Sequence, residues 1–166
     1  LWAITSDYAE DIRIGKDTLK SVSDLYRRIR NTFRFILGAL DGFTPAEKIA
    51  ESEYKNMPEL ERLVLHWLSD VNADMRAAIE AHDYNRMAQR LHLFCSVELS
   101  AFYLDIRKDR LYCDRPDSFD RRATRTVLYH LYECLVTWFA PILCFTSEEA
   151  WSHRPAGLWP DVGSVH

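Results

Sequence analysis

A chain of 166 residues, 48% of them hydrophobic, can bury one sizeable core and hide roughly 70% of its unfolded surface. Five glycines and six prolines argue against a turn-rich β-sandwich and for helices, and no apolar run approaches the roughly 20 residues of a membrane span. A net charge of −4 runs against the strongly basic domain typical of nucleic-acid binders.

The charge is segregated, however. Lys20 to Arg34 holds five basic residues against one acidic, and Arg107 to Arg125 seven against four. The acidic excess sits in Asp41 to Glu61, six against two. Such segregation suits a binding face, although charge runs are usually solvated helix surface.

Residues 1–14 read as the tail of an element continuing from preceding sequence, and no signal peptide is visible there. Without an initiator Met or a closing element after GSVH, the chain reads as a piece of a longer protein. From about Asp17 to Leu40, the apolar positions Leu19, Val22, Tyr26, Ile29, Phe33, Leu37 and Leu40 recur at threes and fours. That spacing predicts a long amphipathic helix, stopped by Asp41-Gly42. Thr44-Pro45-Ala46-Glu47 has the form of a capping box and predicts a short helix. Pro58 opens a second long helix with Leu60, Val64, Trp67, Val71 and Met75 on one stripe, fading near Ala81-His82. Asp83 caps a third, whose stripe is Tyr84, Met87, Leu91, Cys95, Leu99, Phe102 and Ile106.

Asp114-Arg115-Pro116-Asp117 breaks the chain, and Ser118 caps a fourth helix lined by Leu128, Leu131, Leu135, Trp138 and Ile142. Pro141 ends or kinks it. Thr146-Ser147-Glu148-Glu149 predicts one more short helix through Trp151, with a loosely packed, extended tail after His153. Four long helices on short loops imply an all-α antiparallel bundle. The expected division is a junction at 1–14, the helical domain at 15–152 and the start of a C-terminal extension at 153–166.

Arg27, Arg30, Asn31 and Arg34 share a stripe of the first long helix, away from its Tyr26, Ile29, Phe33 face. Three guanidiniums in a row suit a phosphate backbone, since each planar fork holds two phosphate oxygens. The alternative is a solvated face with ordinary ion pairs. Arg107, Lys108 and Arg110 follow an apolar helix face and sit near its predicted C-terminus, where cations also offset the helix dipole by ~0.3–1 kcal/mol. Asp105 and Asp109 are potential partners for them. Arg121, Arg122 and Arg125 lie early in a helix, which the dipole disfavours, so compensation by Asp117 and Asp120, or by phosphate, is expected. Most aromatic residues fall on core stripes, leaving Trp151 and Trp159 as candidates for exposed stacking.

Catalytic chemistry finds little support. His130, Glu133 and Cys134 are too few for a metal centre, and Glu149 and His153 lack the spacing of a di-iron pair. No glycine-rich phosphate loop, GxSxG or HExxH occurs. Cys95, Cys113, Cys134 and Cys144 form no CxxC pair, and read as reduced, mostly buried thiols of a cytoplasmic protein.

Three segments carry a resemblance: LSAFYLDIRKDRLYCD (Leu99 to Asp114), the opening LWAITSDYAEDIRIGKDTLK with its sequel YRRIRNTFRFILGAL, and WFAPILCFTSEEAW. In this order they resemble the anticodon-binding helical domain of bacterial-type isoleucyl-tRNA synthetases, a class I family. Valine, leucine and methionine synthetases share the bundle type but match these segments less well. The resemblance implies a domain binding the anticodon arm of tRNA(Ile) through Arg27, Arg30, Asn31, Arg34, Arg107, Lys108 and Arg110. It implies no catalytic residue, metal or cofactor in this monomeric segment. Isoleucine activation with ATP and magnesium belongs to a Rossmann-type domain bearing HIGH and KMSKS motifs, neither of which occurs here, and zinc to a C-terminal segment. A helical bundle that docks a partner protein is the competing reading.

Overall fold

The computed structural model describes residues 1–6, 11, 14–160 and 162–166, and every regular element among them is helical. Asp7 to Glu10, Ile12 and Arg13, within the expected junction, lie outside the described residues. A single turn, α1 (Trp2–Thr5), precedes the first long helix, α2 (Lys16–Leu40). α2 buries Ile29, Thr32, Phe33, Ile36 and Leu40, whereas Leu19 near its start is 50% exposed. Gly42 then takes φ +65, a left-handed turn that only glycine enters without steric cost.

The helix expected at Thr44 to Glu47 is a turn instead. Tertiary partners claim its groups: the Glu47 carbonyl accepts from Arg122 Nε at 2.9 Å, and the Glu47 carboxylate from Arg125 Nη1 at 2.9 Å. A 3-10 helix, Glu51–Asn56, follows it. α3 (Glu59–Glu80) starts after Pro58 as expected, but its buried stripe is Glu61, Val64, Leu68, Val71, Met75 and Ala78. Leu60 and Trp67 are only partly buried; Glu61 and Leu68 face the core in their place.

Asp83 caps α4 (Tyr84–Leu93), its Oδ1 accepting from the Arg86 amide at 3.0 Å. The helix then passes without a break into a π-helical stretch, Phe94–Tyr103, and on through α5 (Leu104–Ile106). The wider π turn advances the buried face beyond α-helical phase. Tyr103 and Leu104 therefore point inward, while Phe102 and Ile106, expected in the core, are 42% and 47% exposed. A hitch at Arg107 leads into α6 (Lys108–Cys113).

Ser118 caps α7 (Phe119–Phe139), with Oγ accepting from the Arg121 amide at 3.3 Å. α7 buries residues on every side, from Ala123 to Phe139, so it is the central strut rather than a one-faced surface helix. It runs antiparallel to α2: Phe33 meets Phe139 edge-on at 5.8 Å, and Arg125 Nε donates to the Ala39 carbonyl at 3.1 Å. It ends just before Pro141, as a proline requires.

α8 (Cys144–Ser152) begins three residues earlier than the Thr146 capping box predicts, because the Thr146 hydroxyl turns to Tyr26 Oη of α2, 3.0 Å away. The tail beyond His153 is packed rather than loose. Trp159 is 6% exposed, stacked on Tyr129 with ring centroids 4.6 Å apart and close to Trp151. Of the four thiols, only Cys95 is buried; Cys113 and Cys144 are exposed because α6 and the start of α8 lie at the surface. No helix among the described residues is long and apolar enough to cross a membrane.

Candidate nucleic-acid interface

The α2 stripe lies open to solvent. Arg27, Arg30, Asn31 and Arg34 are all exposed, since the opposite face of the helix carries Ile29, Phe33 and Ile36 into the core. Arg27 pairs with Asp24 at 3.1 Å, yet its side chain remains 70% exposed. Arg30 reaches only 3.9 Å from Glu149 of α8 and is 51% exposed. Contacts of this length between exposed groups contribute little and exchange readily. Arg34 has no carboxylate within 4.0 Å among the described residues.

α8 runs alongside α2 in the same direction, Tyr26 meeting Thr146 and Arg30 meeting Glu149 one turn further on. Between them lies an open groove of about 460 Å³, floored by Phe33 and Leu37 and edged by Arg30, Arg34, Asp41, Glu149 and His153. Its hydrophobic floor suits flat rings, and Arg30 and Arg34 on its edge suit an anionic chain, provided the chain displaces Glu149 from Arg30.

The second cluster is arranged differently. Arg107 is 12% exposed and clamps the fully buried Glu61 of α3 through two bonds, Nε to Oε1 at 2.6 Å and Nη2 to Oε2 at 2.8 Å. Such a fork-to-fork pair uses the guanidinium's recognition edge inside the fold. Lys108 bonds Asp105 at 2.7 Å, which raises its pKa chiefly through that hydrogen bond. Arg110 bridges Asp114 at 3.2 Å and Asp120 at 2.5 Å. The two sets are not brought together: Arg30 and Arg34 of the α2 row border the groove against α8, while Arg107 and Arg110 are tied to α3 and α7 and Lys108 to Asp105 of α5.

Arg121, Arg122 and Arg125 also work internally, and their partners are not the expected Asp117 and Asp120. Arg121 donates to the Asp114 carbonyl at 3.1 Å and Arg122 to the Glu47 carbonyl. Arg125 ties Glu47, the Ala39 and Asp41 carbonyls and the Phe43 ring together. Asp117 is taken by Arg115. Trp151 and Trp159, expected as exposed rings, are 5% and 6% exposed, because the C-terminal tail folds back over Tyr129 and Tyr132. The most exposed aromatic ring among the described residues lies elsewhere, at Phe145, 93% exposed, with Tyr112 next at 70%. Its off-stripe place at the start of α8 was the available sequence signal, hidden by the misplaced cap.

The two less accessible thiols are poor nucleophiles. Burial pushes the Cys95 thiol up to about 12 and the Cys134 thiol to about 11, so neither forms a thiolate near neutrality. His130 Nε2 lies 2.7 Å from Tyr54 Oη, and burial, reinforced by Lys48, lowers its pKa to about 4. Unfolded, this imidazole takes a proton near its ordinary 6.5; folded, it resists to about 4. The unfolded state therefore binds more protons between these values, and stability falls as pH drops through them. Going from pH 7 to pH 5 is expected to cost roughly 1–2 kcal/mol through this group, allowing for screening at its exposed edge. Urea unfolding at both pH values, compared with His130→Gln, checks this: the variant should lose that part of the pH dependence.

Comparison with known proteins gives the family of the chain. A family model described as the anticodon-binding domain of tRNA ligase matches residues 61–165. An isoleucine–tRNA ligase of Gluconobacter oxydans is 51% identical over 154 residues, covering 93% of this chain and 16% of that protein. Those of Agrobacterium fabrum and Zymomonas mobilis are 49% and 46% identical, each covering 100% of the chain. The chain thus spans 16–17% of the length of these relatives, and the alignments that cover it fully include α2, which lies outside the family match.

Proposed function

This chain belongs to the family of anticodon-binding domains of tRNA ligases, and from that premise we propose that its α2–α8 face docks the anticodon arm of tRNA(Ile). The exposed row of Arg27, Arg30, Asn31 and Arg34 carries the reading. Phosphate contacts of this kind fix register and orientation without reading sequence. Lys108 and Arg110 are secondary candidates, offset by one carboxylate and by two respectively. Arg107 is left out of the contact set because Glu61 occupies its donors.

The segment's contribution to catalysis is positional. Holding one arm of a rigid RNA constrains the distant acceptor end, so docking energy becomes alignment of the reacting groups. In a full-length cytoplasmic isoleucine–tRNA ligase, other segments supply ATP chemistry with magnesium, and any zinc.

Titrating the chain, as a monomer, with tRNA(Ile), a non-cognate tRNA and an acidic protein across a salt series tests the proposal. Salt-sensitive binding to tRNA, exceeding that to the acidic protein at every salt concentration, is expected. Equal or tighter binding of the acidic protein contradicts it and favours a protein-docking bundle.

A further inference from the structure

Phe145 stands where a purely structural residue has no reason to be. It is 93% exposed, more than any other large apolar side chain among the described residues. Its ring adds nothing to the core, yet its setting is well defined. The next residue, Thr146, is tied to Tyr26 of α2 at 3.0 Å. Glu149, four residues on and therefore on the same helix face, approaches Arg30 at 3.9 Å. The ring thus stands at the head of the α8 wall, one turn before the Arg30–Glu149 contact that edges the groove.

A protein partner of hydrophobic character needs a contiguous apolar patch. The residues next to Phe145 on α8 are Cys144, Thr146, Ser147, Glu148 and Glu149, so its own helix extends no apolar patch from the ring. Phe145 is not part of the groove lining, but a lone flat ring one helical turn before the Arg30–Glu149 contact matches another chemistry: an unpaired nucleobase stacks on the ring while its flanking phosphates meet cations.

We propose that Phe145 is a stacking platform for an unpaired nucleobase of the bound RNA, with the adjoining phosphates running along Arg30 and Arg34. The proposal rests on the docking face assigned above and adds a residue and a contact type to it. Stacking needs a π-face but not a particular base, so the platform contributes affinity rather than sequence choice.

The test uses this chain with unmodified tRNA(Ile) transcript, and with the same transcript carrying 2-aminopurine in its anticodon loop. Phe145→Leu keeps an apolar side chain but removes the π-face, and is expected to weaken tRNA binding roughly 5- to 150-fold. The salt dependence and the melting temperature stay unchanged, because the substitution alters neither the charge nor the core packing. Phe145→Trp retains wild-type affinity or exceeds it. The 2-aminopurine fluorescence is quenched by wild type and Phe145→Trp and not by Phe145→Leu. Wild-type affinity of Phe145→Leu, or a change in its salt dependence, overturns the platform, whatever partner then takes the ring. If affinity instead falls only in the Arg27, Arg30, Arg34→Gln triple variant, the platform fails while the docking face stands. If neither variant affects binding, both fail.

Discussion

Glu61→Leu is expected to destabilise the chain by about 3–5 kcal/mol, the cost of leaving one member of a buried ion pair without its partner. Glu61 is fully buried, and three side chains converge on its carboxylate with four hydrogen bonds: Arg107 through two donors, Thr124 Oγ1 at 2.9 Å and Tyr103 Oη at 3.5 Å. Removing the carboxylate strands a guanidinium that is only 12% exposed. Against a typical total of about 5–15 kcal/mol, this is a large fraction. The double variant Glu61→Leu with Arg107→Met removes both charges and should recover most of the loss, since buried pairs can often be exchanged for apolar contacts. Urea unfolding measures both. A single-variant cost under about 1 kcal/mol would contradict the buried-pair account. The double variant should also bind tRNA like wild type, because the Arg107 donors are already taken by Glu61.

The second large effect belongs to α2. Arg27→Gln, Arg30→Gln and Arg34→Gln together should reduce the slope of log affinity against log salt by about 3, one for each phosphate no longer neutralised. At about 50 mM salt the affinity should fall by at least roughly tenfold, because counterion release is largest at low salt. Stability should hardly move: these side chains are solvent-exposed, and surface changes usually stay within about 0.5 kcal/mol each. An unchanged salt slope in the triple variant would remove the α2 row from the interface.

Periodicity exposes much of this architecture. Ile29, Phe33 and Leu40, or Met87, Leu91, Cys95 and Leu99, lie in the core where helical spacing places them. Asp83 and Ser118 cap their helices because a short side-chain acceptor before an apolar run satisfies a local need that no tertiary contact overrides. Where long-range partners compete, local rules lose. The Thr44 box gives its backbone and carboxylate to arginines of α7, and the Thr146 box gives its hydroxyl to Tyr26. The π-helical phase shift has no signature in hydrophobic spacing, so the spacing passes over Tyr103 and puts Phe102 in the core.

The basic residues divide along the same line. Arg27, Arg30 and Arg34 face solvent because the opposite face of α2 is plainly apolar, which the sequence displays. The inward turn of Arg107 depends on Glu61, 46 residues away, on a helix whose polar residues read as solvated. Arg125 is buried for a comparable reason, its partners Ala39, Asp41 and Glu47 lying 78 to 86 residues away in sequence. Charge counts alone cannot separate a guanidinium that closes a core from one that awaits a phosphate; the partner must be located.

Side-chain Nε–H resonances of the arginines, followed by NMR as tRNA(Ile) is added, separate these populations directly. Signals of Arg27, Arg30 and Arg34 should shift and broaden with the RNA, while those of Arg107 and Arg125, closed against Glu61 and Glu47, stay in place. Movement of the Arg107 and Arg125 signals with a silent α2 set would mean that the RNA binds a different face of the molecule.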